Sequence, residues 1–424
     1  MTIVVITFFV LLFLNIPVAF AIGISSFIFF AIEPSLPESI ATQRLVSGTQ
    51  SFPLLAVPFF ILAGNLMNSS GITSRLLDFA DALVGHLTGS LAHVSIILST
   101  IMGGVSGSAN ADAAMQSRIL GPQMKAKGYS GGFSAGIIGL SSLITATIPP
   151  SIGLILYGFV GGVSIGALFL AGIIPGILMA LFLMIISYFL AKKKGYYEIG
   201  RKRAPLKHVF LTLKNSLWAL FFPVILVVGI RFGIFTPSEA GAFAVVYAIF
   251  VGFLIHKELN WKNFKKSIEQ SVTDNAVILL IISTSSILSY LITYNRLPSS
   301  VAEFVTGISD NPHIVLFLVL VSLVVMGMFI ESTVLVLLLT PIYLPIIEQV
   351  GFDPVHFGIL MMTLVTFGGM TPPVGVTMYT VCSLTGVPVE DYIKESFPFM
   401  LGIIGLVVLL AIFPQIVLFL PNLF

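Results

Sequence analysis

The chain has 424 residues, 57% of them hydrophobic and only 9% charged, with a formal net charge of +2. So little charge excludes a soluble globular domain and fits a polytopic, all-helical membrane protein embedded in a lipid bilayer. The net charge gives no indication of nucleic acid, and none is expected as a partner. The single cysteine, Cys382, excludes disulfides and thiolate metal clusters.

Apolar stretches are predicted at 2–32, 53–70, 91–122, 131–160 and 166–191. After a polar bridge, more follow at 217–256, 274–292, 313–347, 357–383 and 397–420. Each is judged against the ~20 apolar residues that span hydrocarbon. The first stretch lacks a basic leader region and a small-residue cleavage site, so it is expected to be a mature membrane segment. The bridge carries Lys192, Lys193, Lys194, Arg201, Lys202 and Arg203, which predicts a cytoplasmic linker over 192–216 by the positive-inside rule.

The other charges agree. Arg118, Lys125 and Lys127 follow one stretch, and Lys257, Lys262, Lys265 and Lys266 follow another, whereas 33–52 holds only Arg44. The loop 386–395, predicted cytoplasmic, departs from the pattern, with Lys394 its only basic residue, but acidic residues count little in the rule. Counting crossings between these anchors predicts two repeats of opposite orientation. Each has five spans, one of them broken, plus a re-entrant helical hairpin. The first covers 1–191, with its hairpin at 91–122 and its broken helix at 131–160. The second covers 217–424, with its hairpin at 313–347 and its broken helix at 357–383. Both termini are then periplasmic. Two short passes are assumed within 2–32, and a single long helix there would move the N-terminus to the cytoplasm.

A shift of 223 residues supports the repeat. It pairs Pro122 with Pro345, Pro149 and Pro150 with Pro372 and Pro373, and Pro175 with Pro398. "ATIPPSIGL" (146–154) thus echoes "GMTPPVGV" (369–376). Consecutive prolines break a helix, and in hydrocarbon each freed backbone group costs several kcal/mol unless it is satisfied. Inverted repeats with broken helices and hairpins are the plan of secondary transporters, where unwound carbonyls bind coupling ions near the midplane.

The hairpin tips are expected to meet these breaks. The first tip, "GGVSGSANAD" (103–112), offers Ser106, Ser108, Asn110 and Asp112. Asp112 is the only acid between Asp81 and the basic bridge, and a buried membrane carboxylate is a functional candidate. Ser108 and Asn110 are candidate ligands or, alternatively, caps of the second hairpin helix. The second tip, "GMFIEST" (327–333), offers Glu331 as cation ligand, proton carrier or partner of a backbone amide, beside Ser332 and Thr333. The breaks add Thr145, Thr147 and Thr371. These are oxygen donors suited to a hard cation, with no His or Cys site for a transition metal.

With "GGVSGSANADAA", "TIPPSIGLILYG", "FTPSEAGAFA" and "GGMTPPVGV", the whole chain resembles the large membrane subunit (M, of DctM/SiaM type) of the tripartite ATP-independent periplasmic (TRAP) transporters. The resemblance implies sodium-driven uptake of an organic acid anion, sialic acid or else a C4-dicarboxylate, across the bacterial inner membrane by an elevator movement. It also implies a periplasmic substrate-binding protein and a small four-helix membrane subunit, expected on a separate chain because the repeat uses both halves. By the same resemblance, Gly103, Ser106, Asp112, Thr145 and Pro149 fall at a first sodium site. Gly327, Glu331, Gly368, Met370 and Thr371 fall at a second. Ser108, Asn110, Thr147, Pro150, Ser332, Thr333 and Pro372 are left for substrate.

Two rivals stand. "GFSAG" (132–136) fits the G-x-S-x-G nucleophile elbow, with His86 and His93 as the nearest bases, but that motif needs a strand, a turn and a helix. A stand-alone sodium- or proton-coupled dicarboxylate carrier would share the same plan. Arg231 and Arg296 are candidate anion ligands for it or interfacial side chains.

Overall fold

The computed structural model describes residues 1–14, 16–196, 203–309 and 311–423, and among these it is all helix without strands. Arg201 and Lys202 of the basic bridge lie outside the described residues. Seven helices are long and apolar enough to cross a membrane, or eight if one bent pair counts as a single span.

Proline and glycine set most boundaries. Residues 2–32 form two helices, α1 (Thr2–Phe13) and α2 (Val18–Ile32), because Pro17 sits extended at the start of the second. Two short helices follow, the first in a segment that the hydropathy pattern did not distinguish from loop and the second opening the predicted 53–70 stretch. These are α3 (Glu38–Ser47) and a 3-10 turn at Phe52–Leu55, which leads into α4 (Ala56–Ser69). Next, α5 (Ile72–Val84) buries Ile72, Leu76, Phe79 and Ala80 and packs on α6 (Ser90–Ser106). That helix and α7 (Ala109–Ala126) make the first hairpin. Then come α8 (Gly131–Thr147) and α9 (Ile152–Gly161), bent by 44° across Pro149 and Pro150, and the 30-residue α10 (Ile165–Lys194).

Beyond the bridge the chain again places a hairpin and then a broken pair after several helices. First come α11 (Leu206–Arg231) and α12 (Pro237–Phe250) with its π-type turn Val251–Ile255, then α13 (Trp261–Tyr294) and α14 (Leu297–Ile308). The second hairpin is α15 (Pro312–Gly327) with α16 (Ser332–Gln349), and the second broken pair is α17 (Pro354–Gly368) with α18 (Val376–Thr385). The chain closes with α19 (Val389–Ile412) and α20 (Pro414–Leu423). The turn expected near 235–241 is a capping box, in which Glu239 N–H donates to the Thr236 hydroxyl and Thr236 N–H donates to the Glu239 carboxylate.

Three boundaries differ from expectation. The stretch 397–420 is broken because Pro414 cannot continue a helix and Phe413 before it is non-helical. The stretch 274–292 lies inside a 34-residue helix, since the polar residues 261–273 also favour helix. The bridge is shorter than 192–216, for α10 reaches Lys194 and α11 starts at Leu206 behind Pro205.

The core lies along α8 and α17. All of Gly132–Thr147 and of His356–Gly368 is buried. Around α8 pack α6, α7, α10 and α19, and α15 and α16 hold α17. At one crossing only glycine fits: a Cβ on Gly368 would lie 2.6 Å from the Gly327 backbone. Gly368→Ala should therefore lower the thermal unfolding midpoint, with overpacking costing about 1–3 kcal/mol. Gly405→Ala on α19, whose methyl meets nothing within 4 Å, should be neutral or mildly stabilising in the same melt.

Candidate functional site

At the first tip, Gly107 takes a left-handed conformation (φ +60°) and lies so close to the break that a Cβ would stand 2.1 Å from the Pro150 carbonyl oxygen. The next residue, Ser108, caps α7 by accepting from Ala111 N–H at 3.4 Å. One turn on, Asp112 is buried and turned inward to the break. Its carboxylate accepts from the Ser99 hydroxyl (2.7 Å), the Thr145 hydroxyl (2.8 Å) and the Gln116 amide (3.0 and 3.1 Å). Ser95 donates to the Gln116 carbonyl at 2.6 Å and extends the network. Gly103 faces the same break, where a Cβ would lie 2.8 Å from Ile148.

At the second tip Glu331 caps α16 and makes the bond to backbone amides that is one of its three candidate roles. It accepts from Thr333 N–H (2.8 Å), Val334 N–H (3.3 Å), the Thr333 hydroxyl (2.9 Å) and the Ser332 hydroxyl (3.2 Å). The second break docks on this tip through Gly375 N–H to the Met328 carbonyl at 2.8 Å. Thr371 donates to the Gly368 carbonyl (2.8 Å), and Tyr392 O–H donates to the Met370 carbonyl (3.1 Å). Both Pro-Pro peptides, 149–150 and 372–373, are cis.

Tips and breaks enclose a cavity of about 610 Å³, within the usual size of small-ligand sites. Four helix N-termini open onto it: α7 through Ser108 to Ala111, α9 through Ile152 and Gly153, α16 through Ser332 to Val334, and α18 through Val376 and Thr377. The opposing wall comes from α4 and α13, with Asn65 and Asp274 as polar members. Among the described residues no Lys, Arg or His lines it, whereas Glu331 and Asp274 do. Three of its polar atoms are buried without a hydrogen-bond partner: Ser106 Oγ, Asn110 Oδ1 and Thr366 Oγ1.

Of the residues expected to meet substrate, Ser108, Asn110, Ser332 and Thr333 line this cavity, while Thr147, Pro150 and Pro372 do not. Thr147 turns its hydroxyl back to the Leu143 carbonyl at 3.0 Å, and Pro150 is covered by Gly107. Pro149 is likewise buried in the break. Sequence reasoning missed Ser99, Gln116, Thr366, Asn65 and Asp274. Gln116 was within reach, since it lies one helical turn from Asp112.

The hydrolase pattern fails in this context. Ser134 lies within helix α8, donates to the Ser130 carbonyl at 2.9 Å, and is preceded by no strand. Arg231 lines a separate cavity of about 540 Å³ with Ser164, Phe235 and Pro421, away from both breaks.

An all-helical frame with two hairpin tips and two broken helices around one cavity defines a membrane transporter of the broken-helix type. Residues 5–416 match the family described as "Tripartite ATP-independent periplasmic transporter, DctM component", and the chain belongs to that family. It is 39% identical over 414 residues to the sialic acid TRAP transporter large permease protein SiaM of Vibrio cholerae, covering 98% of this chain and 96% of that one. It is 32% identical to the C4-dicarboxylate large permease protein DctM of Pseudomonas aeruginosa, covering 91% and 90%. Among solved structures, the Alcanivorax borkumensis YdaH transporter has a similar fold, with a TM-score of 0.60 at 14% identity over 88% of this chain and 87% of that one. The chain is thus a multi-pass membrane permease, and its relatives are named as permeases, not enzymes.

The hydrogen bonds separate structural from free polar groups. Asp112→Ala removes the shared acceptor of Ser99, Gln116 and Thr145, which keep second acceptors at Ser141, Ser99 Oγ and the Ser99 carbonyl, and should cost about 1 kcal/mol or more in a denaturation experiment. Ser106→Ala removes a hydroxyl that has no partner, so its melt should stay within about 0.5 kcal/mol of wild type.

Proposed function

We propose that the protein carries out sodium-coupled uptake of an organic acid anion, delivered by a periplasmic binding protein, in the bacterial inner membrane. One observation carries the reading: four helix N-termini open onto a cavity that has two carboxylates and no cationic side chain. Helix N-termini are ready-made anion sites. With carboxylates but no Lys or Arg in the lining, entry of an anion is favoured by a cation bound beside it, which supports cation coupling, and sodium is the cation proposed.

Gly103, Ser106, Asp112, Thr145 and Pro149 would hold one sodium ion. Gly327, Glu331, Gly368, Met370 and Thr371 would hold another. Hydroxyl, carboxylate and carbonyl oxygens suit a hard cation. Ser108, Asn110, Ser332 and Thr333 face the substrate. Sialic acid and C4-dicarboxylates, named for relatives, are candidate cargoes.

The two halves act as inverted repeats with the bridge in the cytoplasm and both termini in the periplasm. Hairpins and broken helices form the moving body of an elevator, and α1, α2, α4 and α11–α13 form the scaffold. A separate small four-helix membrane subunit completes the complex.

The test is uptake of radiolabelled acid into proteoliposomes holding both membrane subunits, with the binding protein outside. Uptake should require both sodium and the binding protein. Ser106→Ala and Asn110→Ala should lower it about tenfold or more, equivalent to ~1.4 kcal/mol of lost binding. Uptake without the binding protein would leave a stand-alone carrier, and full uptake in choline would overturn sodium coupling.

A further inference from the structure

The cavity is chemically lopsided. On the hairpin side it presents the N-termini of α7, α9, α16 and α18 and the unpartnered Asn110 Oδ1. The α4–α13 wall presents the carboxylate of Asp274 and no helix start. Asp274 Oδ1 accepts from the Gln270 amide at 2.8 Å, and Oδ2 accepts from the Asn65 amide at 3.1 Å. Asn65 also donates to Ser271 at 3.0 Å, which holds it across from α13. Both of these donors are neutral amides. Among the described residues Asp274 forms no ion pair.

The cavity's other carboxylate, Glu331, spends its charge on the α16 N-terminus through two backbone amides. Asp274 lies in the interior of α13, far from either helix end, and has no such compensation. Its charge is therefore presented to whatever occupies the cavity.

We infer that Asp274, positioned by Asn65 and Gln270, selects a hydroxylated monocarboxylate as cargo and rejects a dicarboxylate. This rests on reading the cavity as the transport site. The cargo carboxylate is drawn to the helix N-termini, so the far end of the molecule meets Asp274. Hydroxyl or amide N–H groups there are donors to a carboxylate that has acceptor capacity to spare. A second carboxylate in the same place is opposed by the like charge of Asp274. Size points the same way, since a four-carbon diacid would leave most of about 610 Å³ to water.

The experiment measures binding directly, so that selection by the periplasmic protein does not enter. The full chain with its small subunit is placed in nanodiscs in sodium buffer and titrated calorimetrically with N-acetylneuraminate, glucuronate and succinate. Wild type should bind at least one of the two hydroxylated monocarboxylates about tenfold or more tightly than succinate. Asp274→Asn should collapse that ratio by about tenfold, by weakening the sugar acid, strengthening succinate, or both. Asp274→Glu, which keeps the charge, should retain the preference and shows that folding is not the cause.

Succinate bound as tightly as the sugar acids by wild type, or a ratio unchanged in Asp274→Asn, would overturn the inference and leave the transport reading standing. Failure of all three acids to bind in sodium would overturn both.

Discussion

The structure depends on one constraint: a helix broken inside hydrocarbon must have its freed backbone groups satisfied by protein. Each Pro-Pro break meets a hairpin tip so closely that only glycine fits. Gly107 lies against the Pro150 carbonyl, and Gly327 and Gly368 touch backbone to backbone. Gly375 N–H closes the second contact onto Met328. Breaks and tips are thus two parts of one device. At the second break the hairpin accepts a hydrogen bond from the unwound segment, at the first it packs directly on the Pro150 carbonyl, and both contacts rest on glycines that tolerate no side chain.

From that contact the site follows. A tip pressed on a break directs the starts of α7, α9, α16 and α18 to one cavity. Their amides supply positive potential without a cationic side chain. The two acids at the tips are then used differently. Asp112 faces away from the cavity into a hydroxyl and amide network of α6, α7 and α8, whereas Glu331 faces the cavity and caps its own helix. Equal treatment of the two tips, natural from the sequence, hides this asymmetry.

Much of the fold was legible because proline and glycine are strong local signals. Both hairpins and both broken helices lie within a few residues of their expected places, and the capping box at Thr236 and Glu239 lies within 235–241. The two short passes expected within 2–32 meet their break at Pro17, whereas the break at Pro414 inside 397–420 was hidden because hydropathy averages over it. Of the site, the tip residues Ser106, Ser108, Asn110, Glu331, Ser332 and Thr333 were readable as polar groups amid aliphatic ones. Asn65 and Asp274 were not. They come from helices 209 residues apart, and their meeting is a tertiary fact that no local pattern carries. Thr147 misled for the opposite reason, because a hydroxyl beside a break can satisfy its own helix instead.

The central claim is that a cation and an organic anion occupy this cavity together, each compensating the other's charge. Linkage makes that measurable, because two ligands that favour one another must do so reciprocally. The direct measurement is the affinity of the purified membrane complex for its acid as sodium is raised at constant ionic strength with choline. The account predicts affinity that climbs steeply with sodium, and sodium affinity that climbs equally with acid. An acid affinity independent of sodium would contradict it.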